Sequence, residues 1–251
     1  MRTKLFLLGI VIVLLTTGCA SNKVKKEDEA LRLRRLAEAY MAENKLIPAY
    51  RELVKAQELT PKDPHIHFDL GVFYYLREKY DLAIEEYKKA LRLDADFATA
   101  RNNLGVVYME KKQWDKAIET LVPITENYLY ATPHYPHFLL GQAYFHKKEY
   151  DKAVMRFQEA LDLNPDYVYA RHWLGKTELE RGNLEKALRE LEKAVNAAPA
   201  VAVFYFDLGR AQAALNNMAA ARQTLKRCSS LAQEDKALRK KVQQQLELLA
   251  P

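Results

Sequence analysis

The chain repeats one pattern at a period of 34 residues, and this period constrains its fold more than any other feature. A leucine followed by a small residue recurs six times, and an alanine lies thirteen residues after each leucine. The leucines are Leu36, Leu70, Leu104, Leu140, Leu174 and Leu208, and the alanines are Ala49, Ala83, Ala117, Ala153, Ala187 and Ala221. Such a period is typical of a helix–turn–helix repeat. We therefore predict an all-α, right-handed superhelical solenoid, an architecture that suits protein binding better than catalysis.

If each repeat begins six residues before its leucine, the sequence contains six helix pairs. They cover 30–63, 64–97, 98–131, 134–167, 168–201 and 202–235. The alanine of each second helix is followed, four positions later, by a large apolar residue on the same helix face. Small residues let two helices approach closely, and the large residue fills the remaining space. The amphipathic stretch 236–251 is predicted to be a capping helix, with membrane binding as the alternative.

The third repeat departs from this pattern. Pro123 falls inside its second helix, Ile124 replaces a small residue, and two extra residues precede the fourth repeat. Proline blocks helix continuation, so we expect this helix to stop early. The irregularity is either a tolerated loop insertion or a device that sets the angle between the two halves of the array.

The first eighteen residues have the pattern of a secretory signal peptide. Arg2 and Lys4 precede an apolar run from Leu5 to Leu15, which is too short for a permanent membrane-spanning helix. The polar segment up to Glu29 is predicted to be a tether between Cys19 and the repeats. A plain secretion signal with cleavage elsewhere is the alternative.

The segment that ends at Cys19 resembles the lipobox of bacterial lipoproteins. Its residues are Thr16, Thr17, Gly18 and Cys19. The resemblance implies cleavage after Gly18, a diacylglyceryl group on the Cys19 thiol and an acylated amino terminus. Each buried methylene contributes about 0.8 kcal/mol, so several acyl chains anchor a protein durably. Ala20, where an aspartate would imply retention at the inner membrane, favours the outer membrane by analogy.

Composition and motifs point away from several other functions. Only two cysteines occur, so a disulfide framework is excluded, and Cys228 takes the place of a small buried residue. The net charge is +6, but acids and bases alternate along the helices, which indicates a solvated surface and not a nucleic-acid site. The three serines lie near the chain ends, and the six histidines form no ligand set. We predict a protein without a catalytic site, metal site, small-molecule substrate or cofactor apart from the lipid at Cys19.

The repeats resemble the tetratricopeptide repeat. A tyrosine lies three residues after the small residue in the first four units, as Tyr40, Tyr74, Tyr108 and Tyr144, whereas Glu178 and Gln212 replace it in the last two. The lipobox, six repeats, a length near 250 residues and the Tyr130-Ala131-Thr132-Pro133 segment together resemble the type IV pilus biogenesis lipoproteins, or pilotins. The resemblance implies a protein anchored in the outer membrane, with its repeats in the periplasm. There it would bind the pilus secretin and promote the secretin's localisation and multimer assembly. A general periplasmic scaffold for envelope or cell-wall complexes is the alternative.

A partner-binding groove is predicted on the concave face, which the first helices line in tetratricopeptide folds. The spacing i, i+4, i+7 along these helices selects its central positions. The candidates are Phe68, Val72, Tyr75, Val106, Met109, Phe138 and Phe145. An apolar groove suits an amphipathic helix or apolar segment of a protein, here expected to be the secretin. Alternatively, these side chains only complete the packing between repeats.

Overall fold

A computed structural model of the protein describes residues 23–126 and 131–249, which form thirteen α-helices and no strand. The prediction of an all-α repeat fold is confirmed. The chain divides into two compact units, the first ending at Lys111 and the second beginning at Lys112. The predicted signal peptide (1–18) and Cys19 lie outside the described residues. Within the described ranges, no helix is long and apolar enough to span a bilayer.

The first unit contains five helices. They are α1 (23–42), α2 (Leu46–Leu59), α3 (Pro64–Leu76), α4 (Tyr80–Leu93) and α5 (Ala98–Glu110). From α2 to α5 each helix packs against the next, and α3 also contacts α5. The predicted tether is partly wrong, because 23–29 already belong to α1. This segment has no glycine or proline, and an i,i+4 ion pair between Lys23 and Glu27 supports its helical conformation.

The second unit contains the remaining eight helices. They are α6 (Trp114–Thr125), α7 (His134–His146), α8 (Tyr150–Leu163), α9 (Val168–Glu180), α10 (Leu184–Ala197), α11 (Ala202–Ala214), α12 (Met218–Leu231) and α13 (Lys236–Leu248). Helix α6 has 12 residues, whereas α8, α10 and α12 have 14 each, so the helix that contains Pro123 ends early as predicted. Helix α13 packs against α11 and α12, and its Leu238 and Val242 are buried beside Leu225 and Cys228.

The repeated small residues lie in the core, at the contact between the two helices of a repeat. All six motif alanines are fully buried, and so are the large residues that follow them four positions later. A Cβ atom added to Gly71 would collide with the ring of Tyr87, and one added to Gly141 would collide with the ring of Phe157. The repeat register inferred from the sequence therefore agrees with the packing.

Each repeat turns between its two helices through one residue with a positive φ angle. These residues are Asn44, Glu78, Lys112, Lys148, Gly182 and Asn216, with φ between 55° and 81°. Only Gly182 is a glycine among these six described turns. The left-handed conformation costs a residue with a Cβ about 1 kcal/mol, and it ends the first helix of each repeat.

Candidate protein-binding surfaces

The predicted groove residues of the first unit lie on two neighbouring helices. Phe68, Val72 and Tyr75 are on α3, and Val106 and Met109 are on α5. All five side chains are half-buried. The ring of Phe68 packs against Phe97 at 5.2 Å, and Tyr75 packs against Tyr80 at 6.0 Å between ring centroids. The rings of Phe68 and Tyr75 therefore contribute to packing, and the contact of all five residues with a partner stays a prediction.

The two predicted groove residues of the second unit differ in exposure. Phe138 is only 7% exposed and packs against Phe157 and Tyr167, which leaves it little surface for a partner. Phe145 is half-buried, with its ring centroid 5.2 Å from that of Trp173 and the Lys176 ammonium 5.2 Å above it. The structure thus joins Phe145 to Trp173, which the spacing along the first helices does not select.

An exposed apolar cleft lies elsewhere in the first unit, between α2, the end of α3 and the start of α4. It encloses about 340 Å³, and its lining residues are Ile47, Tyr50, Phe73, Tyr74, Arg77, Lys79 and Leu82. Ile47 is 71% exposed, Leu82 42% and Tyr50 39%. Burial and a hydrogen bond with Tyr50 raise the pKa of Tyr74 to about 12, so the Tyr74 phenol is neutral near pH 7. The cleft is apolar at its base and basic at its rim.

Ion pairs connect successive repeats at equivalent positions, and we call this series the ladder. The cleft lies where one of these ion pairs is missing. The second helix of a repeat begins with an aspartate that pairs with a basic residue at the turn of the next repeat. The rungs are Asp81–Lys111 in the first unit, and Asp115–Lys147 and Asp151–Arg181 in the second. Each aspartate is exposed, so each rung contributes less than about 1 kcal/mol.

The ladder is interrupted in the first repeat. Ile47 takes the place of the aspartate, and Arg77 takes the place of the basic turn residue. Among the described residues, Arg77 forms no ion pair. Aligning the repeats on their alanines could have shown this exception, because an aspartate lies two residues before Ala83, Ala117 and Ala153.

Two buried aspartates occupy the same repeat position, directly before a motif leucine. Asp69 in the first unit lies 3.7 Å from the Arg34 guanidinium, and one of its carboxylate oxygens lacks a hydrogen bond. Burial and the neighbouring Glu38 raise the pKa of Asp69 to about 8, against the opposing effect of Arg34. The carboxyl of Asp69 is therefore largely protonated at neutral pH.

Asp207 in the second unit is held as a carboxylate. It contacts the His172 ring at 2.9 Å, and Arg210 donates a hydrogen bond to it at 3.2 Å. Burial acts to raise its pKa, but the hydrogen bond with His172 and the charges of His172, Lys176 and Arg210 hold that pKa below its usual value. His172 also stacks on Phe204, with 4.4 Å between ring centroids. This arrangement joins α9 and α11 through contacts between buried side chains.

Cys228, the other candidate reactive group, has a structural role. Cys228 is fully buried, as predicted, and its thiol contacts the carbonyl oxygen of Ala202 at 3.1 Å. Burial raises the pKa of this thiol to about 11, so it is protonated and unreactive near pH 7. Among residues 23–126 and 131–249, no group of three or more His, Cys, Asp or Glu side chains is placed to hold a metal ion. The remaining candidate sites are exposed surfaces, which are suited to binding another protein.

Two family models match parts of the repeat region. A family described as "TPR repeat" matches residues 73–112, and one described as "Tetratricopeptide repeat" matches 144–205 and 178–246. The type IV pilus assembly protein PilF of Pseudomonas aeruginosa is 29% identical over 163 residues, which are 63% of this chain and 65% of PilF. The BBSome complex member BBS4 of Bos taurus is 30% identical over 126 residues, which are 50% of this chain and 24% of BBS4. The chain thus spans slightly less than two thirds of PilF and about a quarter of BBS4.

Solved structures show the same fold. The structure of Pseudomonas aeruginosa PilF superposes with a TM-score of 0.77 at 20% identity, covering 88% of this chain and 99% of that one. The structure of PilW, described as a widely conserved type IV pilus biogenesis factor, also gives 0.77, at 19% identity, covering 85% of this chain and 97% of that one. At these identities the structural similarity establishes the fold.

Proposed function

The chain belongs to the tetratricopeptide-repeat family and is homologous to the type IV pilus assembly protein PilF, and from this premise we propose that it is a pilotin. In this role it binds the type IV pilus secretin and promotes the localisation and multimer assembly of the secretin at the outer membrane. The homology to a pilus assembly protein and the binding architecture of the repeats support the proposal.

The lipid anchor is the second part of this proposal. Its support is the sequence around Cys19, which resembles a lipobox. Replacement of Cys19 by serine removes the thiol that would carry the diacylglyceryl group, so labelling with a radioactive fatty acid should be lost. Equal labelling of the wild type and the Cys19→Ser variant would disprove the anchor without affecting the binding proposal.

The observation that carries the binding proposal is the cleft at Ile47 with its unpaired Arg77. Three large apolar side chains are exposed there together, which is typical of a surface that binds another protein. The Arg77 guanidinium lacks the carboxylate that its equivalents have in later repeats. We therefore assign to this cleft an apolar segment of the secretin that carries an acidic residue opposite Arg77. The acid would complete the missing rung from outside the chain.

The substitution Ile47→Asp tests this assignment sharply. It supplies the missing aspartate from within the chain, removes the most exposed apolar side chain of the cleft and gives the first repeat the aspartate that the second, third and fourth repeats have. The fold should be unchanged, whereas affinity for the purified periplasmic part of the secretin should fall at least tenfold, or about 1.4 kcal/mol. Secretin multimers and surface pili should decrease in parallel. Isothermal titration calorimetry measures the first effect, and gel analysis of cell envelopes measures the second.

Leu93→Asp is the matched control. Leu93 is also exposed on the first unit, but it does not line the cleft. Its replacement should leave secretin binding unchanged. The double substitution Tyr75→Ala with Phe145→Ala tests the groove predicted from the sequence. If the double variant folds normally and loses binding while Ile47→Asp binds fully, the predicted groove is the binding surface and the cleft is not.

A further inference from the structure

The second unit carries an aromatic cluster that the proposed function does not use. The His146 ring stacks on Trp114, with 4.4 Å between centroids and 9° between ring planes. The edge of His146 also faces Trp173 at 5.9 Å, and Trp173 contacts Phe145 at 5.2 Å. The three aromatic residues Trp114, Phe145 and Trp173 are half-buried, and His146 is exposed. The cluster is thus ordered by its own contacts and still reaches the surface.

Positive charge gathers at this cluster. The Lys176 ammonium lies 4.4 Å above the ring of Trp173 and 5.2 Å above the ring of Phe145. Burial lowers the pKa of His146, and the charges of Lys176 and Lys112 lower it further. Both lysines therefore lie close enough to the imidazole to oppose its protonation.

These basic groups lack the partners that other basic residues of the unit have. Lys147 and Arg181 pair with the ladder aspartates, and Arg210 pairs with Glu180 and Asp207. In the part of the chain that the structure describes, Lys112 and Lys176 have no carboxylate oxygen within ion-pair distance, and the His146 ring forms no hydrogen bond. Lys176 acts on the buried Asp207 only from a greater distance, as one of several charges that lower the pKa of Asp207.

We propose that this cluster, formed by Trp114, Phe145, His146, Trp173 and Lys176 with Lys112 beside it, is a docking site for an acidic protein segment in which a carboxylate lies next to an aromatic side chain. The carboxylate would lie among Lys112, His146 and Lys176, where it would offset the positive charge of the lysines and favour protonation of the imidazole. The neighbouring aromatic ring would pack against the exposed edges of the two tryptophans, an arrangement that favours offset or edge-to-face contacts. The site lies wholly in the second unit and does not depend on the identity of the partner at the Ile47 cleft.

The chain itself contains the reporter for this site. Its only two tryptophans are Trp114 and Trp173, so intrinsic tryptophan fluorescence comes entirely from the cluster. The probes are N-acetyl-L-phenylalaninate and its amide, N-acetyl-L-phenylalaninamide, which share the aromatic ring and differ in the negative charge. In a titration of the full chain, the carboxylate should change the fluorescence saturably at millimolar concentration. The amide should bind at least tenfold more weakly.

The variant Lys176→Met removes the central charge and should weaken binding of the carboxylate at least tenfold. Lys186→Met is the control, because Lys186 is exposed on α10 and lies outside the cluster. If Lys176→Met lowers the thermal midpoint, Lys112→Met replaces it as the test, since the Lys112 side chain makes no packing contact of this kind with the tryptophans.

Nuclear magnetic resonance titration of the imidazole supplies a second readout. Bound carboxylate stabilises the imidazolium, so the pKa of His146 should rise when the probe is added and should stay constant with the amide. Equal affinity for the two probes would overturn the proposal, because it would show binding by the aromatic surface alone. A fluorescence change that persists fully in both lysine variants would overturn it as well. Neither outcome would affect secretin binding at the first unit.

Discussion

Asp69 and Asp207 occupy the same position in their repeats, and yet their pKa values are shifted in opposite directions. Each lies directly before a motif leucine and is almost completely buried. Asp207 has a histidine and an arginine as direct partners, and its pKa is lowered. Asp69 has Arg34 at the longer distance of 3.7 Å and a second acid, Glu38, beside it, and its pKa is raised to about 8. The repeat determines where the carboxyl lies, whereas residues outside the repeat pattern determine its charge.

This difference shows how a repeat array obtains individual sites. The conserved spacing supplies equivalent buried positions, and the small-residue contacts hold them in place. A buried carboxylate stabilises the structure only when partners replace the water that it has lost. The two aspartates thus provide a direct comparison between a completed and an incomplete polar contact in one chain.

The substitution Asp207→Asn should have the largest effect. It keeps the size of the side chain but removes the charge that His172 and Arg210 face, and unpaired buried charges are strongly destabilising. We expect the second unit to lose about 3 kcal/mol of unfolding free energy. Both tryptophans belong to this unit, so urea denaturation followed by tryptophan fluorescence measures it directly. An unchanged midpoint would show that the contact with His172 contributes no net stability.

The pH dependence of stability should separate the two sites. Asp69 binds a proton in the folded protein up to about pH 8, whereas an unfolded aspartate releases it near pH 4. The folded state therefore holds more protons between these values, and stability should fall as pH rises through this window, by up to about 1.4 kcal/mol per pH unit. Asp207 acts in the opposite sense. Its contribution is present above about pH 4 and is lost as pH falls through its lowered pKa.

Urea denaturation followed by circular dichroism from pH 5 to pH 9 measures the first of these slopes. Asp69→Asn is the control, because it removes the titrating group and should flatten the profile. A slope that persists unchanged in that variant would assign the pH dependence to other residues.

At a fixed pH near 4, Asp69→Asn should have the smallest effect. The carboxyl is neutral in the folded protein at that pH and about half neutral in the unfolded chain, so a neutral side chain of the same size should change the unfolding free energy by less than about 1 kcal/mol. Thermal unfolding followed by circular dichroism checks this. If Asp69→Asn destabilises the protein as much as Asp207→Asn does, the two sites are equivalent and the comparison fails.

The sequence allowed the repeated part of the fold to be predicted almost completely. Its signal is redundant, because the leucine, the small residue and the alanine recur six times at one spacing. The shortened helix at Pro123 and the burial of Cys228 followed from the same alignment. The helical conformation of residues 23–29 was missed, because charged residues are typical of both a tether and an exposed helix.

The candidate sites were harder to predict, because they depend on departures from the repeat. Position in a helix could not show that Phe138 would be buried under Tyr167 while Phe145 stayed half-exposed beside Trp173. The Ile47 cleft was missed for a different reason. Apolar positions do not distinguish this repeat, because the informative exception lies in the charged series of Asp81, Asp115 and Asp151.

The left-handed turn residues affect where such a repeat array unfolds locally. Five of the six carry a side chain in a conformation that favours glycine, so each of these turns stores about 1 kcal/mol of backbone strain. In a repeat protein the stability of each unit depends mainly on its nearest neighbours, and strain at one turn therefore promotes local unfolding there and not throughout the chain. Mutation between glycine and other residues at a single turn can adjust the hydrogen-exchange rate of one helix hairpin. Mutations at the turns can thus change the local unfolding of individual repeats without changing any residue that contacts a partner.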